Sequence, residues 1–176
     1  MKRILTAFLF VVLLIPLQPG HATDFTRPTD TSIQVYFSPK GGCTDAINKA
    51  LGQARQEILV QAYSFTSAPI AKALLDARKR GVKVQVILDK SQKTQKYSSA
   101  TFLANSGIPT FIDAKHAIAH NKIMIIDREA VITGSFNFTK AAEEKNAENV
   151  LIIRDKALAK VYIDNWDKHR GHSEPQ

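Results

Sequence analysis

The chain of 176 residues contains one cysteine, Cys43, and no group of cysteines and histidines with the spacing of a metal site. A single cysteine cannot form a disulfide within its own chain, so a packed core must provide the stability. Cys43 follows a Gly-Gly turn that favours a small side chain; a disulfide to a second chain is the alternative. The acidic residues form no obvious metal site, and His116, His169 and His172 occur in loop-like or terminal segments typical of surface residues. We therefore expect neither a metal nor an organic cofactor.

Motifs that mark other classes of protein are also missing. There is no G-x-G-x-x-G or Walker A element, and the glycine pair before Cys43 is too short to hold a phosphate. No repeat of fixed period and no low-complexity tract occurs. The chain is long enough for one domain with a substantial core.

A long apolar run occurs only at the N-terminus, between residues 4 and 17, and it is shorter than the ~20 residues of a membrane-spanning helix. Lys2 and Arg3 precede the run, and Gly20-x-Ala22 follows it, which is the layout of a cleavable export signal. We expect residues 1–22 to be removed and residues 23–176 to form a single domain. The protein is then periplasmic or secreted, with no stable membrane anchor after cleavage.

The charge is unbalanced, with 24 Lys and Arg against 16 Asp and Glu. Loss of the signal, which includes Lys2 and Arg3, leaves 22 against 16. A basic domain favours polyanions such as nucleic acid. An excess of this size also occurs in ordinary soluble proteins, so the charge supports a nucleic-acid partner without establishing one.

Strand-like and helix-like segments alternate along the rest of the chain, which predicts an α/β domain with a layered mixed β-sheet flanked by helices. The segments 123–126 and 130–133 form an antiparallel hairpin. The longest polar connection carries Lys90, Lys93 and Lys96, which are either candidate contacts to the substrate backbone or part of a solvated loop. The other predicted strands are 32–38, 58–65, 82–88, 108–113 and 150–154, and the predicted helices are 44–56, 68–80, 99–107 and 156–170.

The most informative segment is 120–137, HNKIMIIDREAVITGSFN. Its first polar residues, His120 and Lys122, are two apart in a strand-like run, so we expect an imidazole beside an ammonium on one face. Such a pair suits attack on phosphate, because the imidazole can act as nucleophile while the ammonium neutralises an oxygen. Ser135 and Asn137 follow the next strand, and with the helix that begins after Thr139 they could donate hydrogen bonds to the same anion. The complete pattern is H-x-K-x4-D-x6-G-S-x-N, formed by His120, Lys122, Asp127, Gly134, Ser135 and Asn137.

This pattern resembles the signature of the phospholipase D superfamily, whose members cleave phosphodiesters through a phosphohistidine. The length, the export signal and Glu148 in the segment NAENV make the chain similar to the small secreted bacterial endonucleases with one motif per chain. The resemblance extends from about residue 30 to the C-terminus. It implies a phospholipase D/nuclease-like fold, and it implies that the Glu148 carboxylate holds the second ring nitrogen of His120.

A single motif implies two chains. In-line displacement at phosphorus needs a nucleophile on one side and an acid on the other, and no second H-x-K occurs. We therefore predict a homodimer in which His120 attacks and His120 of the partner subunit protonates the leaving oxygen. Lys122 and Asn137 then surround the phosphoryl oxygens in place of a metal, and the Ser135 hydroxyl supports them.

Two further motif residues are predicted to be structural. Asp127 falls at the far end of the strand and is expected to fix the hairpin and to pair with a nearby cation. Gly134 belongs to the same structural part of the motif.

The sequence thus predicts a metal-independent endonuclease with little sequence preference that acts on DNA or RNA. One alternative is a phospholipase D-type hydrolase of phospholipids such as cardiolipin, although no amphipathic membrane helix supports a lipid substrate. Another is a nucleic-acid-binding protein with an inactive site, against which the complete motif argues.

Overall fold

A mixed sheet of eight strands runs through the computed structural model, which describes residues 31–95 and 98–176. The strand order is β1-β7-β6-β5-β2-β3-β4-β8, in which only the β2–β3 and β3–β4 pairs are parallel. The predicted export signal and Lys96 lie outside the described residues. The strands are β1 Ser32–Ser38, β2 Glu57–Ala62, β3 Lys83–Asp89, β4 Thr110–Asp113, β5 Lys122–Ile126, β6 Ala130–Gly134, β7 Glu148–Arg154 and β8 Glu174–Pro175.

Helices cover both faces of this sheet, which confirms the predicted layered α/β architecture. Within the described ranges, no helix has the length and hydropathy needed to cross a membrane. The helices are α1 Cys43–Gln53, α2 Ala68–Lys79, α3 Ala100–Asn105, α4 Lys140–Glu144 and α5 Lys156–Arg170, and a 3₁₀ turn spans Lys90–Lys93.

Alternation along the strands divides the core into two layers. On β5, Met124 and Ile126 belong to the larger cluster, which includes buried residues of α1, α2 and α3. Ile123 and Ile125 belong to the smaller cluster beneath α5. Trp166 of α5 packs in this second layer, and its indole N–H donates a hydrogen bond to the Val60 carbonyl at 3.0 Å. The long helix α5 is therefore fixed across one face of the sheet.

Most predicted element ends lie within two residues of those in the structure, whereas the ends of α1 and β2 differ by three. Helix α1 ends at Gln53, before the predicted end at residue 56, because the chain turns extended at Ala54. Strand β2 ends at Ala62, and Phe65, which was predicted to lie in it, forms an isolated bridge with Phe138. The two-residue strand β8 was not predicted.

The motif strands and their neighbours terminate together at one end of the sheet, which we call the upper end. Strands β2 and β3 terminate there at Ala62 and Asp89. Lys122, the first residue of β5, pairs with Ala62. Gly134 ends β6 and Glu148 begins β7 on the adjacent strands. The topology therefore brings both halves of the 120–137 motif to one place.

Cys43 is fully buried as the first residue of α1. Burial raises the pKa of its thiol. The position supports the interpretation as a small core side chain and contradicts the alternative of a disulfide to a second chain, because the sulfur reaches no surface.

Candidate active site

His120 and Lys122 lie side by side at the upper end, as predicted. The Lys122 ammonium is 3.1 Å from Nδ1 and 3.3 Å from Nε2 of His120, and it donates a hydrogen bond to the His120 carbonyl at 2.9 Å. His120 is exposed and lies just before β5, whereas Lys122 is only 8% exposed. The Lys122 side chain thus reaches back to the loop that precedes β5.

Burial changes the acid–base properties of Lys122. It lowers the pKa of the ammonium, and the nearby negative charge of Glu148 only partly opposes this effect. A phosphate bound at this position would favour the charged form, since an opposite charge at short range raises the pKa of an amine. The Lys122 ammonium therefore favours binding of an anion at this position.

The pair opens into a cleft of about 580 Å³. Its opposite wall comes from α5, where Tyr162 and Asn165 line it. The ring of Tyr63, just after β2, lies 4.5 Å from the His120 ring between centroids, and 5.5 Å from the Lys122 ammonium. Sequence reasoning missed these three residues because only the fold brings α5 and the end of β2 to the motif.

The G-S-x-N part of the motif lies on the neighbouring strand end. Gly134 has φ of +144°, and a Cβ there would stand 2.2 Å from the Asn149 carbonyl oxygen, so only glycine fits. The Ser135 hydroxyl oxygen accepts hydrogen bonds from the Asn149 backbone N–H at 3.1 Å and from its side-chain amide at 3.5 Å. Its own proton remains available as a donor.

Asn137 has a buried Oδ1 that no group among the described residues satisfies. That oxygen is a hydrogen-bond acceptor, so a phosphate oxygen cannot satisfy it, and any hydrogen bond from Asn137 to a bound phosphate must come from its side-chain NH₂ group. The predicted third donor, the start of the following helix, is not supported. α4 has only five residues, and the Thr139 hydroxyl oxygen already accepts a hydrogen bond from the Ala142 N–H at 3.1 Å.

Glu148 faces this site without touching His120. Its carboxylate accepts a hydrogen bond from the Asn146 side chain at 3.2 Å, and no contact with the imidazole occurs within the described part of the chain. Glu148 acts on Lys122 through its charge. The role implied by the resemblance, holding the second ring nitrogen of His120, stays a prediction.

Asp127 lies at the opposite end of β5 from the site. Its carboxylate accepts backbone hydrogen bonds from Arg55 at 2.9 Å, Gln56 at 2.7 Å and Glu57 at 3.0 Å. Burial alone would raise its pKa, but these three bonds and the Arg55 charge hold the pKa of Asp127 below its usual range. Asp127 thus ties the β5–β6 turn to the start of β2, as expected of a structural residue.

The basic segment after β3 also lies at the upper end, because β3 runs parallel to β2. It is attached there at two points: Asp89 accepts a hydrogen bond from the Ala119 N–H at 2.7 Å, and Gln92 accepts one from the Phe65 N–H at 3.1 Å. Lys90 donates to the His116 carbonyl at 3.0 Å, whereas Lys93 is exposed. The segment is near the site, and its contact with substrate stays a prediction.

The structure brings His116, His169 and His172 together, although the side chain of each remains partly exposed. Together with Asp113 they form a group whose donor atoms all lie within 4.8 Å of one another. Sequence spacing could not reveal the group, because α5 crosses the sheet and carries the last two histidines to the end of β4. The fold thus brings candidate ligands together in space although they lack the spacing of a metal site in the sequence.

Comparison with known proteins agrees with this geometry. The family model described as "Cardiolipin synthase, PLD-like domain" matches residues 47–170. A protein of Rickettsia felis named Phospholipase D is 47% identical over 136 residues, which cover 77% of this chain and 68% of that protein. The mouse mitochondrial cardiolipin hydrolase is 30% identical over 140 residues, covering 70% of this chain and 63% of the relative. The chain thus spans about two thirds of the length of these relatives.

Solved structures show the same fold. Nuc of Salmonella typhimurium, described as a phospholipase D family member, superimposes with a TM-score of 0.80 and is 40% identical, covering 84% of this chain and 99% of the other. NucT of Helicobacter pylori superimposes with a TM-score of 0.78 over 84% of this chain and all of the other. At 24% identity, NucT supports the fold alone.

Proposed function

Because the chain belongs to the phospholipase D superfamily of phosphodiesterases, we propose that it is a metal-independent endonuclease that hydrolyses DNA or RNA with little sequence preference. The observation that carries this proposal is the exposed His120 imidazole in contact with the buried Lys122 ammonium. The basic composition and the similarity to Nuc over nearly the whole of that chain support a polyanionic substrate.

The chemistry proceeds in two displacements. The neutral His120 imidazole attacks phosphorus, and the bond to the leaving oxygen breaks as that oxygen takes a proton from His120 of the partner subunit. Lys122, Asn137 and Ser135 donate hydrogen bonds to the non-bridging oxygens, which carry the growing charge. Water then attacks the phosphohistidine, giving up a proton to the partner imidazole and restoring free His120.

An exposed apolar strip supports the dimer that this mechanism needs. Ile33, Val35 and Phe37 alternate along the edge strand β1 and are 41%, 49% and 66% exposed. Phe37 adjoins Ser38, which pairs with Glu148 at the upper end. A second copy on this strip would cover apolar surface and an open sheet edge while facing the catalytic end.

A lipid substrate is the second candidate. Ile118, two residues before His120, is 57% exposed, and an apolar side chain beside a nucleophile suits an acyl-chain interface. The relatives named Phospholipase D and cardiolipin hydrolase favour the same substrate class.

One paired assay separates the candidates. The purified protein is incubated in excess EDTA with supercoiled plasmid and, in parallel, with cardiolipin vesicles, and His120→Ala serves as the inactive control. We expect plasmid nicking that EDTA does not abolish and that His120→Ala loses. Hydrolysis of cardiolipin with intact plasmid would establish the lipid substrate, and plasmid binding with neither reaction would establish an inactive binding protein. Activity lost in EDTA and restored by Mg²⁺ would contradict the metal-independent mechanism.

A further inference from the structure

A second cluster of chemically active side chains lies at the β4 edge of the sheet, outside the cleft that contains His120. Its centre is Asp113, the last residue of β4, whose side chain is fully buried. Three imidazole nitrogens approach one oxygen, Oδ2: Nδ1 of His169 at 2.7 Å, Nδ1 of His116 at 3.0 Å and Nε2 of His172 at 3.3 Å. The three rings stand with their centroids 4.8 to 5.4 Å apart.

Hydrogen bonding within the cluster leaves one of these nitrogens unsatisfied. His169 and His116 have hydrogen-bond geometry toward Asp113, and the Lys115 backbone N–H donates to its other oxygen at 3.1 Å. Nε2 of His172 is buried, and its approach to Asp113 lacks hydrogen-bond geometry. A buried imidazole nitrogen that has no hydrogen-bond partner among the described residues and lies 3.3 Å from a carboxylate oxygen is placed where a metal ligand would be.

The donor set fits zinc. Imidazole and carboxylate are ligands that Zn²⁺ uses, at about 2.0–2.2 Å, and four protein ligands close a tetrahedral structural site. Ligand atoms at that bond length stand about 3.3 Å apart; here the three nitrogens lie 2.7 to 3.3 Å from the Asp113 oxygen, and all four donor atoms lie within 4.8 Å of one another. Small rotations of the side chains would admit the ion.

We propose that Asp113, His116, His169 and His172 bind one Zn²⁺ ion as a structural site distinct from the catalytic one. The ion joins segments far apart in the chain: the end of β4 and the loop after it, and the end of α5 before β8. That loop continues through Ala119, whose N–H is held by Asp89, to His120. Zinc therefore ties the C-terminal segment to the start of the loop that follows β4.

The binding test uses the whole protein stripped of metal, Zn²⁺ alone as the titrant, and calorimetry with native mass spectrometry as readouts. We expect one ion per chain. His169→Ala should weaken binding by more than about 100-fold, since loss of even an outer-shell partner costs about 10–100-fold. His120→Ala is the matched control: it removes a histidine outside the cluster and should leave zinc affinity unchanged. Circular dichroism verifies that both variants fold.

A second test, by visible absorption spectroscopy, uses the wild-type protein alone. Co²⁺ added to the stripped wild-type protein should give the intense visible absorption of a tetrahedral site, and Zn²⁺ should displace it and raise the Tm. Absence of stoichiometric zinc binding, or an octahedral cobalt spectrum, would overturn the proposal. If His120→Ala lost zinc binding and His169→Ala retained it, the ion would be bound in the active site, and the proposal would be overturned as well.

Discussion

At the scale of single residues, Lys122 differs most clearly from an ordinary core residue, because it is buried and carries a charged group. The residue as a whole is 8% exposed, and within the described part of the chain its ammonium has hydrogen-bond partners only on the neighbouring histidine. Burial of a charge is unfavourable, and burial lowers the pKa of this amine. In the proposed mechanism this ammonium neutralises a phosphoryl oxygen, which would offset the cost of burying it.

The substitution Lys122→Met tests whether the buried ammonium promotes cleavage while lowering the stability of the fold. We expect plasmid cleavage to fall about 10²–10³-fold, as for loss of one donor to a developing oxyanion. The free energy of unfolding should stay equal or rise by about 1–2 kcal/mol, since an apolar chain of similar size replaces a desolvated charge. Nicking rates and urea unfolding measure the two effects. Lys79→Met, at an exposed position, is the control, and a destabilised but active Lys122→Met would contradict the interpretation.

Asp127 offers a prediction that depends on pH. Its folded-state pKa is below the value of about 3.9 in an unfolded chain, so its stabilisation is present above that value and is lost as the pH falls through the folded pKa. Asp127→Asn, which tolerates the φ of +52° at this position, should cost roughly 1–3 kcal/mol at pH 7. The cost should vanish in strong acid, where both side chains are neutral.

Urea unfolding from pH 7 to pH 2 measures this dependence. Asp164→Asn, at an exposed residue paired with Lys160, is the matched control and should change stability by less than about 1 kcal/mol. A cost for Asp127→Asn that is the same at both extremes of pH would show that its charge is not what ties the turn to β2.

The motif residues could be found from sequence because each lies within a short, patterned segment. Gly134 and Ser135 follow an apolar strand, and the fold places them where the spacing predicted. The contacts of Tyr63 and Tyr162 with this site could not be found, since both depend on how distant elements pack. The unsatisfied oxygen of Asn137 likewise depends on tertiary burial, which the sequence does not encode locally.

At the scale of elements, strong periodicity and clear end signals made α5 predictable over Lys156–Arg170. Asp155 before it accepts hydrogen bonds from the Ala157 and Leu158 N–H groups, a typical N-cap. The path of α5 across the sheet was not predictable, and that path creates the cluster around Asp113. Strand β8 was missed because two residues that pair with β4 carry no periodicity.

The role of the basic segment after β3 in DNA binding can be tested by reversing a charge. Lys93→Glu should weaken DNA binding and reduce the slope of log K against log salt by about one for each phosphate that the protein no longer neutralises. Lys79→Glu makes the same charge change at the opposite end of the sheet, where α2 leads into β3. Fluorescence anisotropy over a salt series measures both. An equal effect of the two variants would show that the segment is a solvated loop with no special role in binding.

At the scale of the whole molecule, the proposed mechanism needs two imidazoles, and among the described residues His120 is the one histidine that lines the cleft. The described structure contains His120 once at the upper end, and the other three histidines that it describes are gathered around Asp113. The second catalytic histidine must therefore come from another copy if the proposed mechanism holds. The apolar strip on β1 gives that copy a surface to cover.

Subunit mixing tests the shared site directly. In a heterodimer of wild type and His120→Ala, the single site has either a nucleophile or an acid, and loss of one partner costs about 10²–10⁴-fold in rate. After random exchange, activity at constant total protein should fall with the square of the wild-type fraction. Differential tagging verifies the exchange, and wild type mixed with Lys79→Glu serves as the control that should retain activity. A linear decrease with confirmed exchange would refute the shared site, because each chain would then cleave independently even within a dimer.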